Sequence, residues 1–327
     1  MLPWVILALL IAILVLGIPL NFVAFFKLHC GRCFSQGRRH SSYYRLALKH
    51  LNFADLVILT SYIPTQLSAH IWGSQWAGGE FVCKLLSWLK VSAFQSSSFL
   101  ITAIAVVRLI DIVSVRRSSD EKRRYTRWLL AIVWFVTLLC GIPSIMASAS
   151  VKIDLMDANG TLYYSATYCT NVWIKSRYLN LSTDFIMLEH TYYVFHLVTM
   201  FWGPASITIC VYAVITMCIV RHVKKRRKSL PNGYARRQSV SVNTSRVVHS
   251  SGYLILAHLI CWTPYNVVSI IPSLQDYRLV LYTLHYMLCF NTVINPLCYK
   301  IIRIRLRRPA IIRHYDVQEM TPFPTRS

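Results

Sequence analysis

From Leu2 to Phe26 the chain reads LPWVILALLIAILVLGIPLNFVAFF, without one charged side chain. At ~1.5 Å of rise per residue, this run is long enough to cross the ~30 Å hydrocarbon layer of a bilayer as a single helix. A secretory leader is the alternative. However, no basic segment precedes the run, its apolar part exceeds the usual ~7–15 residues, and no small-x-small cleavage pattern comes before Lys27. The run is therefore expected to persist as the first of several spans. Further apolar segments follow at about residues 46–68, 84–112, 128–149, 191–220, 247–272 and 279–302. The expected architecture is an all-α membrane protein, a seven-transmembrane helix bundle forming a single domain over residues 1–327. A polar, flexible third inner loop is expected at about 221–246 and a cytoplasmic tail at about 303–327. Spans two and three carry Asp55 and Lys90, so they are expected inside the bundle rather than against lipid.

Seven crossings put the termini on opposite sides, and the basic residues decide which side is which. Of 35 Lys and Arg, 28 fall in the stretches after spans one, three, five and seven, counting Lys49 and Lys300 at the adjoining span ends; Asp and Glu number only 12. This asymmetry predicts an outer N-terminus and a cytoplasmic C-terminus in a multi-pass plasma-membrane protein. The formal charge of +23 is thus not a nucleic-acid footprint, which would concentrate on one soluble face. It sets topology and favours anionic lipid of the inner leaflet.

Six cysteines (Cys140, Cys210, Cys218, Cys261, Cys289 and Cys298) lie within spans and read as small packing residues. Cys83 and Cys169 are the two on the outer side, which makes a disulfide between them the economical expectation. Cys30 and Cys33 form a C-x-x-C pair near His29 and His40, at most a partial zinc site, and no metal is expected there. Asn159-Gly-Thr and Asn180-Leu-Ser are glycan acceptor patterns on the outer side; Asn243-Thr-Ser lies inside and is excluded by topology.

The spans also carry motifs. LNFADL surrounds Asp55, span three ends in Val107-Arg108-Leu109, span six reads CWTPY from Cys261, and span seven reads NPLCY from Asn295. Together with Asn21, Trp134, Pro143, Pro204 and Tyr212, and with Cys83 lying 25 residues before Arg108, these resemble the rhodopsin-like (class A) G-protein-coupled receptors over nearly the whole chain. A narrower likeness lies in QWAGGEFVCKLLSWLKV, Gln75 to Val91. This stretch is similar to its counterpart in gonadotropin-releasing-hormone receptors and their adipokinetic-hormone and corazonin relatives, and vasopressin-type receptors share part of it.

The resemblance assigns roles. Asp55, Ser97, Asn291 and Asn295 occupy the positions of a hydrated sodium pocket; from chemistry alone they could equally be a polar knot joining helices. Lys90 matches a peptide-contacting lysine, although a snorkelling lysine is the plainer alternative. Gln66, Trp76, Trp173, Tyr265, Asn266 and His285 would line the same outward cavity. Pro264 removes a backbone hydrogen bond and should kink span six, with Trp262 just below it. His258 replaces the usual Phe one turn further in and reads as a satisfied core histidine.

Arg108, Tyr212, Pro296 and Tyr299 belong to the activation and G-protein-coupling machinery that the resemblance implies. The acid that normally precedes the Arg is Val107, and the span-six position that often bears Glu is Thr244. Asp111, three residues beyond Arg108, is the substitute partner that helical spacing offers. Arg236-Arg237-Gln-Ser239 resembles a basophilic kinase site, and KIIRIRLRR after Tyr299 alternates apolar and basic residues as a surface helix would.

The function implied is a receptor that passes binding of an extracellular peptide hormone or neuropeptide to a heterotrimeric G protein. It is not an enzyme, and it needs no cofactor beyond a structural sodium ion. A non-signalling receptor of the same fold is the near alternative, given Val107, Leu109 and His258. A transporter or channel is the distant one, disfavoured because neither an internal repeat nor a pair of broken helices at matching positions is visible. A retinal-based light sensor fails because Cys289 stands where the lysine would be.

Overall fold

The computed structural model describes residues 2–30, 42–71, 75–114, 116–156, 162–173, 184–228, 237–271 and 278–299. Helix α1 is Leu2–His29, α2 is Ser42–Ile71, α3 is Gly79–Val113 and α4 is Ser119–Ala147. A hairpin of β1 (Ser148–Met156) and β2 (Leu162–Asn171) follows, pairing antiparallel from Ser148 opposite Asn171. Helix α5 runs through Asp184–Leu197, Val198–Trp202 and Gly203–Lys228. Helix α6 is Arg237–Val268, uninterrupted through Pro264, and α7 comprises Arg278–Cys289 and Asn291–Cys298, broken at Phe290. Among the described residues, α1 to α5 contain stretches long and apolar enough to cross a membrane.

The helices fall where hydropathy puts them, with three differences. The strand pairing that starts at Ser148 ends α4 at Ala147, and what hydropathy left as a plain outer loop is a hairpin. Helical backbone continues through Lys228 and resumes at Arg237, so most of the stretch expected as the third inner loop is helical. Finally, α2 and α5 each contain a π-helical turn, at Ile58–Tyr62 and Val198–Trp202. Both turns have the same cause. A proline ring collides with the carbonyl four residues back, which for Pro64 is Thr60 and for Pro204 is Met200. In each case that carbonyl lies inside the widened turn. Gly203 completes the second one: a Cβ there would stand 2.9 Å from the Val198 carbonyl oxygen.

Burial separates the spans as the charges predict. In α3 and α2, 61% and 56% of the most apolar stretch is buried, against 28% in α1 and in α4. Phe26, Trp128, Phe135, Met217 and Ile260 stand outward as the lipid-facing side requires. Inside are two apolar clusters. Tyr62, Phe94, Phe201, Trp262, Tyr286 and Cys289 fill the half nearer the hairpin; Tyr44, Leu48, Leu51, Ile104, Leu254 and Tyr299 fill the other. Between them lies a buried polar layer of Asn21, Asn52, Asp55, Ser97, Ser98, His258, Asn291 and Asn295.

Candidate functional site

At the hairpin end, the segment from Gln75 to Cys83 is a local fastening. Gly79 adopts φ +70°, a left-handed conformation suited to glycine, and a Cβ on Gly78 would meet the Trp76 ring at 2.6 Å. The Trp76 indole therefore folds over Gly78 and donates from Nε1 to the Gly79 carbonyl at 2.8 Å. Its backbone N–H donates to Thr167 O at 2.7 Å, and the Glu80 carboxylate accepts Ser150 N–H at 2.7 Å. With the Cys83–Cys169 disulfide, these bonds pin both strands to the start of α3. On the exposed face of the hairpin, the Ser165 hydroxyl, helped by the Lys152 ammonium, holds the Asp154 carboxyl below the usual carboxylate range.

Below this fastening, several expected residues converge. The Lys90 ammonium lies 5.8 Å from the Tyr62 ring centroid, and Tyr62 Oη and His285 Nε2 are 2.6 Å apart. His285 packs against Phe94, Tyr265 and Tyr286, and Tyr286 Oη donates to Gln66 Oε1 at 3.1 Å. Trp173 is buried against Tyr192. Two of the expected lining residues make local hydrogen bonds. Trp76 is committed to the glycine turn, and Asn266 donates back to the Trp262 carbonyl at 2.9 Å.

In the polar layer, Asn295 Nδ2 donates to both Asp55 oxygens at 3.2 and 3.0 Å, and Tyr299 Oη reaches the same carboxylate at 3.5 Å. Asn291 Oδ1 and Asn295 Oδ1 are buried without a hydrogen-bond partner among the described residues, and the Ser97 hydroxyl lies against the Asp55 carboxylate. A carboxylate with a serine hydroxyl against it and two unpaired amide oxygens in the same polar layer suits a hard cation, which takes oxygen ligands. His258 is held on both ring nitrogens, by Ser98 Oγ at 3.0 Å and Asn291 Nδ2 at 3.4 Å. It lies under Trp262 with ring centroids 4.9 Å apart, and Trp262 stacks on Phe201 at 6.3 Å.

At the opposite end, Arg108 is 3% exposed, so its charge needs a partner. Val107 is buried in the apolar cluster and offers none. Asp111 supplies it: Arg108 Nη1 lies 3.5 Å from Asp111 Oδ2, Lys122 Nζ is 3.7 Å from Oδ1, and the Tyr43 hydroxyl donates to the same carboxylate. The guanidinium stacks 3.3 Å from the Tyr44 ring centroid, a cation–π contact. Tyr212 packs nearby and Pro296 is buried in α7. Residues 33–299 match the model of the 7 transmembrane receptor (rhodopsin family).

The chain belongs to the rhodopsin family of seven-transmembrane receptors. It is a multi-pass membrane receptor and not an enzyme. It is 24% identical to the G-protein coupled receptor daf-38 of Caenorhabditis elegans, over 87% of this chain and 85% of the relative. It is likewise 24% identical to the gonadotropin-releasing hormone II receptor of Clarias gariepinus, over 81% and 67% of the two chains. To the neuropeptide Y receptor type 6 of Oryctolagus cuniculus it is 23% identical, over 85% and 73%.

Within this receptor, several residues of the site carried no sequence signal. Tyr43 and Tyr44 reach Asp111 and Arg108 from the start of α2, a contact across 68 positions for Tyr43, which no local pattern encodes. Tyr62 and Phe94 read as ordinary span residues, and His196 lies in an apolar run without a motif around it. The glycan sites Asn159 and Asn180 lie outside the described residues, as do Thr244 and Ser239 beyond their helical backbone and the segment after Tyr299.

Proposed function

We propose that this receptor binds an extracellular peptide hormone or neuropeptide at the hairpin end, which faces outside, and signals through a heterotrimeric G protein at the Arg108 end. One observation carries the reading. The disulfide-pinned hairpin stands at the end of the bundle where a half-buried lysine lies over the Tyr62 ring, with Tyr62 meeting His285 and His285 packing on Tyr265, a charge beside aromatic faces of the kind that holds peptide side chains. The names of the gonadotropin-releasing hormone and neuropeptide Y relatives agree with it. In cells expressing the chain, short amidated peptides of the hormone branch should mobilise calcium. Lys90→Gln should lower potency roughly 10- to 100-fold with surface expression intact, the worth of a charge-assisted hydrogen bond. Unaltered potency removes Lys90 from the contact set.

The same reading assigns a sodium ion to Asp55, Ser97, Asn291 and Asn295, supported by the Ser97 hydroxyl against the Asp55 carboxylate and the unpaired amide oxygens of Asn291 and Asn295 in the same buried layer. The ion would supply a counter-charge to Asp55 and tie α2, α3 and α7 together. Asp55→Asn is expected to abolish the sodium dependence of agonist affinity, measured by competition binding in sodium and in N-methylglucamine buffers. Equal sodium sensitivity in both forms leaves only a polar knot.

A further inference from the structure

His258 stands where an apolar ring would need no partners. It lies between Phe201 and Trp262, with ring centroids 6.1 and 4.9 Å away, and is 3% exposed. A buried imidazole at such a place brings two polar atoms that have to be satisfied, and both are. Nε2 lies 3.0 Å from Ser98 Oγ of α3, and Nδ1 lies 3.4 Å from Asn291 Nδ2 of α7.

The second contact fixes the ring's hydrogen. An amide nitrogen only donates, so Nδ1 accepts from Asn291; the hydrogen of the neutral ring then sits on Nε2 and is donated to Ser98 Oγ. It also fixes the amide. With Nδ2 committed to the ring, Oδ1 is the end of Asn291 left for another partner, and it is buried without one among the described residues. Asn295 repeats the arrangement one turn along α7: its Nδ2 donates to both oxygens of Asp55, and its Oδ1 is likewise left over. Residues four apart on a helix are neighbours, with Cβ atoms ~5–6 Å from each other, so Asn291 and Asn295 stand on one face of α7, the face that meets Asp55.

We infer that His258 is a positioning residue for the ion site: by accepting from Nδ2 it turns the Asn291 carboxamide so that the oxygen, and not the N–H group, is offered to the cation. A carboxamide without this partner is free to present its nitrogen, which carries only donors and cannot ligate a hard cation. Partners one step out from a metal orient its ligands in this way. The inference rests on the sodium reading above; the bridge from α3 through His258 to α7 stands without it.

The test uses the full chain in lipid nanodiscs and has two readouts. The first is a titration of the unfolding midpoint with sodium, against N-methylglucamine, in the unsubstituted chain and in His258→Asn, His258→Gln and His258→Phe. Asn keeps an acceptor where Nδ1 stands, whereas Gln keeps only the group where Nε2 stands. His258→Asn is expected to retain most of the sodium affinity, while His258→Gln and His258→Phe lower it roughly 10- to 100-fold, the usual effect of removing a group that orients a ligand. A merely structural role would not separate Asn from Gln. The second readout is nitrogen NMR of ring-labelled histidine, in which His258 is the signal that the substitutions remove. Nε2 is expected to carry the hydrogen and Nδ1 to be bare.

Sodium affinity that falls alike in His258→Asn and His258→Gln, or that survives in His258→Phe, overturns the inference. A hydrogen on Nδ1 in a sodium-sensitive chain keeps the ion and strikes the role of His258 alone. An unsubstituted chain indifferent to sodium removes the ion and this role with it, and a bare Nδ1 in that chain shows that the sodium reading failed and the bridge did not.

Discussion

Cys83→Ser is expected to abolish most surface expression. The disulfide closes a loop spanning 86 positions, and its loss returns to the unfolded chain an entropy worth about 4–5 kcal/mol on the chain-closure estimate. Receptors that begin with a total stability of only ~5–15 kcal/mol would lose a large share of it. The remaining fastenings, Glu80 to Ser150 and Trp76 to Thr167, are single hydrogen bonds of about 1–2 kcal/mol each and cannot hold the hairpin as firmly. Cys169→Ser should therefore match Cys83→Ser, and the double substitution should add nothing to either. Antibody staining of an N-terminal tag on intact cells, alongside thermal unfolding of purified protein, measures all three. Normal staining and an unchanged midpoint in either single variant would contradict the expectation.

Asp111→Asn should raise ligand-free signalling. Asp111 is three residues from Arg108, on the face to which Lys122 and Tyr43 also converge, so its carboxylate is the shared counter-charge of a guanidinium, an ammonium and a phenol. The amide keeps the shape and removes the charge. If releasing Arg108 from this cluster is the step toward G-protein engagement, a loss of ~1–2 kcal/mol of restraint shifts the population about 5- to 30-fold. Lys122→Gln leaves the Arg108 contact in place and should change little, and Tyr43→Phe should fall between. Nucleotide exchange on purified G protein by ligand-free receptor distinguishes the three. Unchanged exchange in Asp111→Asn, with normal expression, would show that the stacking of Arg108 on Tyr44 suffices by itself.

The sequence made some of this plain because the relevant signals are local. Runs of uncharged residues specify the spans, and the charges of Asp55 and Lys90 place α2 and α3 inside, since an ionisable group in lipid has nowhere else to go. The spacing of Arg108 and Asp111 likewise needs only a helix. What stayed hidden depends on contacts between distant segments. The hairpin is a pairing of Ser148–Met156 with Leu162–Asn171, two stretches without strict alternation, and it is stabilised by bonds from α3 that hydropathy does not register. Trp76 is placed at a ligand cavity by family position alone, and its packing over Gly78 with the bond to the Gly79 carbonyl is a local task that the position does not announce. His196 is silent in the sequence because a lone histidine in an apolar run has no meaning until the surroundings of its ring nitrogens are known, and in the fold both are buried without a partner among the described residues.

The widened turns before Pro64 and Pro204 bear on how this chain can be compared with its kin. Each holds one residue more than an ordinary helical turn, so everything on the hairpin side of it is swivelled by about 100° relative to an unbroken helix. Counting outward from Asp55 to Gln66, or from Tyr212 back to His196, thus selects a different wall of the recess depending on whether the counted relative shares the bulge. For residues beyond either turn, equivalence has to be established by superimposing backbones, because equal offsets along two chains do not point the same way.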